Sequence, residues 1–207
     1  MLIVFEGIDG SGKTALSKRV QKHLKDLGKK VVWFREPTDM QWGAKIRAVF
    51  ESGERLSPKE EVELFMKDRK DDVEKRIIPA LNEGKIVLLD RYYFSTAAYQ
   101  GAEGLDWMKI IQDNEKFAVR PHIIFFLLTH PEVALRRIEK EGRKKTAPEK
   151  LEVMQRIDNV YRQMFSKLHN DGYNIKTINT FNPLDDLEKK VTKLILRFLK
   201  LLHNNPM

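Results

Sequence analysis

Residues 5–14 read Phe5-Glu6-Gly7-Ile8-Asp9-Gly10-Ser11-Gly12-Lys13-Thr14. Gly7, Gly12, Lys13 and Thr14 stand at the spacing G-x-x-x-x-G-K-[ST], with the apolar run Leu2–Phe5 before them and a helical pattern after them. In that context the spacing means a phosphate cradle. Glycines let successive backbone N–H groups turn inward around an anion where side chains would collide. The following helix presents its unpaired N–H groups to the same anion. Gly7, Ile8, Asp9, Gly10, Ser11, Gly12, Lys13 and Thr14 are therefore expected to wrap the phosphates of a nucleoside triphosphate. Lys13 would reach the β- and γ-phosphates, and the Thr14 hydroxyl would hold Mg²⁺.

Working outward, Leu16, Val20, Leu24 and Leu27 make residues 12–27 an amphipathic helix that Gly28 ends. Lys30–Phe34 is a buried-strand pattern, which gives a right-handed parallel β-loop-α-β unit. Arg35-Glu36-Pro37 follows at the strand's carboxyl end, where open α/β sheets place ligands. Residues 40–53 read as a helix. Ser57-Pro58-Lys59-Glu60 is a capping box with proline at the first helical position, and its helix should run to about Ile78, before Pro79. Phe65 and Arg69 share a face of it. Spacing alone reads Phe65 as core.

Ile86–Leu89 has the pattern of a central parallel strand ending at Asp90-Arg91. Asp90 at such a tip is placed to hold Mg²⁺ through water, and Arg91 to clamp a phosphate. Residues 92–101 begin a helix whose Ser, Tyr and Gln side chains border the same cleft. Ile123–Leu128 is the next core strand, and Pro131 starts a helix through Glu141. Glu139–Lys150 is polar and basic with a glycine and a proline; composition leaves it either a mobile flap or a solvated loop. A helix over 150–170, a strand over Asn174–Ile178 and a final helix with Leu187, Val191, Leu194, Ile195, Phe198 and Leu202 on one face complete the chain.

With 207 residues, 33% of them charged and 42% hydrophobic, the chain suits one folded domain and not a disordered one. No apolar run approaches the ~18 residues that span a membrane. The loop begins within six residues of Met1, so no signal peptide is expected, and zero cysteine removes disulfide and thiol chemistry. The expected location is the cytoplasm. The net charge of +8 suits either nucleic acid or a small anionic substrate. Its lysines are scattered without a basic block of five, which argues against nucleic acid.

The loop, Arg35-Glu36-Pro37, Phe65 with Arg69, Asp90-Arg91-Tyr92, Ser95 and Ala98-Tyr99-Gln100-Gly101 together resemble the thymidylate kinase family over nearly the whole chain. The resemblance implies a three-layer α/β P-loop kinase fold, with a five-stranded parallel sheet in the order 2-3-1-4-5 flanked by helices. It implies a single domain over 1–207 with a mobile lid around 139–150. The activity implied is phosphoryl transfer from ATP to dTMP with Mg²⁺, giving dTDP and ADP. ATP and a pyrimidine deoxynucleoside monophosphate are then the partners, without nucleic acid or membrane, in a homodimer.

Carried over residue by residue, Asp9 contacts the sugar 3′-hydroxyl, and Arg35 and Arg91 hold the monophosphate. Phe65 stacks on thymine and Arg69 donates to a base carbonyl. Tyr99 crowds the sugar 2′ position, and Pro37, Ser95, Thr96 and Gln100 line the pocket. Lys13, Asp9 and Arg91 are the implied catalytic residues, joined by Arg143 from the flap; Thr14 and Asp90 are the metal residues. The chain departs from the family in three places. Thr38-Asp39-Met40 stands for Gly-Gly-Thr, Thr129-His130 stands where an Asp is usual, and only Pro148-Glu149 matches the flap's Phe-Glu. A deoxynucleoside kinase and a non-catalytic nucleotide switch or sensor remain the alternatives. No Asn-Lys-x-Asp sequence supports a GTPase switch.

Overall fold

The computed structural model describes residues 1–53, 56–140 and 151–204. Five short apolar runs form one parallel sheet: β1 (Leu2–Glu6), β2 (Val31–Arg35), β3 (Ile86–Asp90), β4 (Ile123–Leu128) and β5 (Ile175–Asn179), in the order β2-β3-β1-β4-β5. The expected order is the one observed. β1, β3 and β4 are buried nearly end to end because helices cover both faces. Alternate β1 residues divide between two cores. Ile3 and Phe5 pack with Leu16, Val20 and Leu24 of α1 (Lys13–Asp26) and with Leu187, Val191 and Ile195 of α9 (Leu184–Asn204). Leu2 and Val4 share the other core with Phe94, Ala97 and Ala98 of α5 (Tyr93–Ala102) and with Ile157, Tyr161 and Phe165 of α8 (Leu151–Asn170).

Between β2 and β3 run α2 (Gln41–Ser52), α3 (Pro58–Asp72), one π-helical turn (Val73–Ile77) and α4 (Ile78–Asn82). The capping box forms as its residues require: Ser57 accepts from the Glu60 N–H while Glu60 accepts from the Ser57 N–H. The helix does not stop at Ile78, however. The π turn moves the ladder to i→i+5, with the Ile78 N–H reaching Val73 O. Pro79, which has no N–H, then falls in the first turn of α4, where none is needed. β2 and β5 begin one residue later than expected. Two further helices are α6 (Trp107–Glu115), which no periodic reading anticipated, and α7 (Pro131–Lys140).

The register puts the functional tips side by side. Phe5 and Arg35 both pair with Asp90, so the ends of β1, β2 and β3 open onto one edge. Glu6 pairs with Phe126, placing the start of the glycine loop at the switch between β3 and β4.

Candidate active site

The loop between β1 and α1 is seated by close backbone packing. A Cβ on Gly7 would lie 2.7 Å from Leu127 O, and one on Gly10 2.3 Å from Ala134 O, so both positions exclude side chains. Both residues also have positive φ, 145° and 73°. Lys13 folds back into the loop: Nζ donates to Gly7 O and Ile8 O, both at 2.8 Å, and to Ser11 Oγ at 3.4 Å. Burial and the nearby Arg91 pull its ammonium down to about 8, while Asp9, Asp90 and Glu6 oppose them. A desolvated cation held by neutral carbonyls is poised for a better-matched anion.

Thr14, in the first turn of α1, donates its hydroxyl to Asp90 Oδ2. Asp90 is buried at the tip of β3, and its other oxygen, Oδ1, has no hydrogen-bond partner among the described residues. A buried carboxylate oxygen without a donor is costly unless a cation or water meets it. A lone carboxylate beside a hydroxyl suits Mg²⁺, which keeps waters and takes phosphate oxygens. Among the described residues no group of three or more His, Cys, Asp or Glu side chains could hold a metal by themselves.

Arg91 leaves β3 in the left-handed region, φ 71°, the sole such non-glycine residue among those described. That turn sends its guanidinium back to the loop, where Nη2 pairs with Asp9 and Nη1 donates to Ser95 Oγ at 3.2 Å. Tyr99, one helical turn beyond Ser95 on α5, donates to Asp9 Oδ2 at 3.0 Å. Asp9, Arg91, Ser95 and Tyr99 thus form one cluster. Beneath it lies Glu6, fully buried, accepting from the Tyr92 N–H at 2.7 Å, Ser95 Oγ at 2.6 Å and Tyr161 Oη at 2.9 Å. Burial pushes the Glu6 carboxyl up, against those hydrogen bonds and Arg91.

Arg35 is exposed at the end of β2, level with Asp90, and forms no ion pair with a described residue. Pro37 follows a cis peptide bond after Glu36. Thr38, where the family pattern departs, is buried: its N–H and hydroxyl donate to the Asp68 carboxylate at 2.8 and 2.6 Å. Phe65 is half-buried on α3 with its ring 6.4 Å from that of Phe50 on α2. Arg69 is only 1% exposed. Its Nε and Nη2 lie 2.8 and 2.7 Å from Glu36 Oε2, Nη1 donates to Asn114 Oδ1 at 2.7 Å, and Nη2 to Thr96 Oγ1 at 3.1 Å. Gln100, one turn past Thr96, donates to Glu61 Oε2 at 2.6 Å.

At the other side of the loop, Arg137 on α7 donates to Gly10 O at 3.4 Å and Thr180 O at 2.9 Å, while Arg136 is exposed. Thr129 stands where an Asp was expected and pairs its hydroxyl with Thr180 at 2.6 Å, so the substituted position is satisfied without charge. Arg143 and most of the expected flap, residues 141–150, lie outside the described residues. Glu6, Glu36, Asn114, Glu61 and Tyr161 were not singled out from the sequence. Glu6 and Glu36 stood inside quoted motifs without a role, whereas nothing in the sequence joins Tyr161 to a partner 155 residues away.

A phosphate loop at the topological switch of a five-stranded parallel sheet, with an acidic strand tip bonded to its Thr, defines a P-loop kinase. More particularly, the chain belongs to the thymidylate kinase family: the family model described as thymidylate kinase matches residues 5–191. It is similar to a probable thymidylate kinase from Archaeoglobus fulgidus, 42% identical over 206 residues, 99% of this chain and 100% of that protein. A thymidylate kinase from Desulfotalea psychrophila is 36% identical over 201 residues, 97% of this chain and 96% of that one. One from Xanthomonas campestris pv. campestris is 39% identical over 175 residues, 84% of this chain and 74% of that one.

Proposed function

We propose that this chain transfers the γ-phosphoryl group of ATP to dTMP, giving ADP and dTDP, at the cluster of Lys13, Asp9, Arg91 and Asp90. The observation that carries the reading is the direct ion pair between Arg91 and Asp9. It ties the phosphate loop of the donor to the turn between β3 and α5, and Tyr99 of α5, which bears the acceptor residues, donates to the same Asp9. Phosphoryl transfer asks the protein mainly to position two nucleotides and to neutralise charge. Lys13 would exchange loop carbonyls for phosphate oxygens as ATP enters. Arg91 and Arg35, at neighbouring strand tips, hold the acceptor phosphate. Asp9 fixes Arg91 and meets the sugar, Tyr99 closes the 2′ side, and Phe65 and Pro37 flank the base, with Ser95, Thr96, Gln100 and Arg69 along its edges. Thr14 and Asp90 are the residues suited to Mg²⁺, which when bound supplies positive charge to the phosphates. The acceptor is already an anionic oxygen, so no general base is assigned.

Arg143, in the expected lid, remains the proposed further cation for the transferring group. No described helix is long and apolar enough to cross a membrane. A cytoplasmic, homodimeric, single-domain enzyme is the setting we infer from the cysteine-free composition and the resemblance. The test is product analysis: with ATP, Mg²⁺ and dTMP, chromatography should find dTDP and ADP accumulating in equal amounts. ADP that forms without dTDP would replace transfer by hydrolysis and remove the acceptor from the account.

A further inference from the structure

Glu61, Phe65 and Arg69 recur every four residues along α3 and so share one face. Thr96 and Gln100, also four apart, stand on α5. They meet as two rungs between the helices: Arg69 Nη2 donates to Thr96 Oγ1 at 3.1 Å, and Gln100 Nε2 donates to Glu61 Oε2 at 2.6 Å. An ionised carboxylate only accepts hydrogen bonds, so Glu61 turns the amide nitrogen of Gln100 toward itself and the amide oxygen away. That oxygen, Gln100 Oε1, is buried and has no partner among the described residues. At the other rung, Arg69 has five N–H donors. Nε and Nη2 face Glu36, Nη2 also serves Thr96, and Nη1 serves Asn114, which leaves one Nη1 N–H that no described residue accepts. Two groups of fixed type thus remain uncommitted, a donor at Arg69 and an acceptor at Gln100. Phe65 lies between the rungs on α3.

We propose that Glu61 is a specificity-determining residue which, by orienting Gln100, sets the acceptor site to read a carbonyl beside an N–H and to reject the reverse pattern. Thymine and uracil present that edge, a 4-carbonyl next to N3–H. Cytosine presents an amino group next to a bare N3, so it sets donor against Arg69 and acceptor against Gln100. Each mismatch leaves a buried polar group unpaired, which is the kind of discrimination a site makes strongly. Stacking on Phe65 is indifferent to the edge and cannot supply it. Glu61 touches no substrate in this scheme; it is a positioning residue that acts through Gln100. The proposal rests on the reading of this face as the site of a pyrimidine monophosphate.

The test is kcat/KM for dTMP and dCMP in the wild type, Glu61→Gln and Glu61→Asp, with KM for ATP as the control. An amide at 61 can donate or accept, so it lets Gln100 turn over. The dTMP/dCMP ratio should fall at least about ten-fold in Glu61→Gln, with dCMP gaining through a lower KM and KM for ATP unchanged. Glu61→Asp, which keeps an acceptor-only partner, should retain most of the ratio. An unchanged ratio overturns the proposal, and so does an equal loss for both acceptors, which is what a merely structural role gives. If Glu61→Gln does not fold, Gln100→Leu decides: removing the acceptor should collapse the ratio, and an unchanged ratio overturns the proposal. A wild type that phosphorylates neither acceptor overturns the underlying reading and the proposal with it, a result visible before any variant is made.

Discussion

Replacing Lys13 by Met separates the chemistry of the phosphate loop from its folding. The wild-type ammonium, drawn from 10.5 to about 8, carries a burial penalty of roughly 3 kcal/mol. Methionine fills similar space without it. The substitution also strips Gly7 O and Ile8 O of their 2.8 Å donor, at about 1–3 kcal/mol for each orphaned carbonyl. The two effects oppose one another, so the net change should lie between about 1 kcal/mol of stabilisation and about 3 kcal/mol of destabilisation, a Tm change within about 10 °C. Activity has no such offset: losing a preorganised cation at the transferred group costs about 10²–10³ in kcat. The pH dependence follows from the sign of the shift. The folded pKa lies below the unfolded one, so the penalty is fully present below pH 8 and is relieved as pH rises towards 10.5. Wild-type stability should therefore rise relative to Lys13→Met across that window. Thermal melts from pH 7 to 10, beside steady-state kinetics at pH 7.5, measure both. A folded variant keeping more than about a tenth of wild-type kcat would refute the phosphate role. A stability difference that stays flat with pH would refute the buried ammonium.

Glu36→Ala should destabilise by about 3–5 kcal/mol in urea unfolding, because it leaves the buried Arg69 guanidinium without its carboxylate; a loss under about 1 kcal/mol would mean that Asp68 and Asp72 already balance that charge. Gly43→Ala places a Cβ 1.9 Å from Thr38 O and should cost about 1–3 kcal/mol or more while raising KM for the acceptor, since Thr38 adjoins Pro37. A wild-type melt would contradict the seating of α2 on that segment. Arg143→Ala should lower kcat by about 10² with little change in Tm, whereas Arg137→Ala, which frees Gly10 O and Thr180 O, should lower Tm and raise KM for ATP. An unchanged kcat in Arg143→Ala would remove that residue from the transfer step.

What could be read from the sequence was whatever is local in the chain. The glycine loop, its strand and helix, and the acidic tip at Asp90 are each specified within a dozen residues, whereas the sheet order came from the resemblance that the motifs carry together and not from the apolar runs themselves. Partners distant in sequence were not legible. Glu6 stood in the quoted motif, but its hydrogen bond with Tyr161 exists only because α8 crosses the carboxyl end of β1. Arg69 was read as a donor to a base, yet its burial by Glu36 and Asn114 depends on α6, whose short pattern over Trp107–Glu115 escaped notice. The helix stop at Pro79 failed for a local reason, because one π-helical turn removes the conflict that proline ordinarily creates.

The central claim is that the acceptor is a deoxynucleoside monophosphate held by its phosphate. Its most direct test is kcat/KM for dTMP, thymidine and UMP at one saturating ATP concentration. The value for dTMP should lie well above both others. Thymidine would bring no phosphate for Arg35 and Arg91 to hold, a loss of charged hydrogen bonds worth at least about 10²-fold. UMP would meet the Tyr99 ring at its 2′-hydroxyl under the proposed placement of the sugar. Thymidine outperforming dTMP would contradict the account and make the chain a nucleoside kinase.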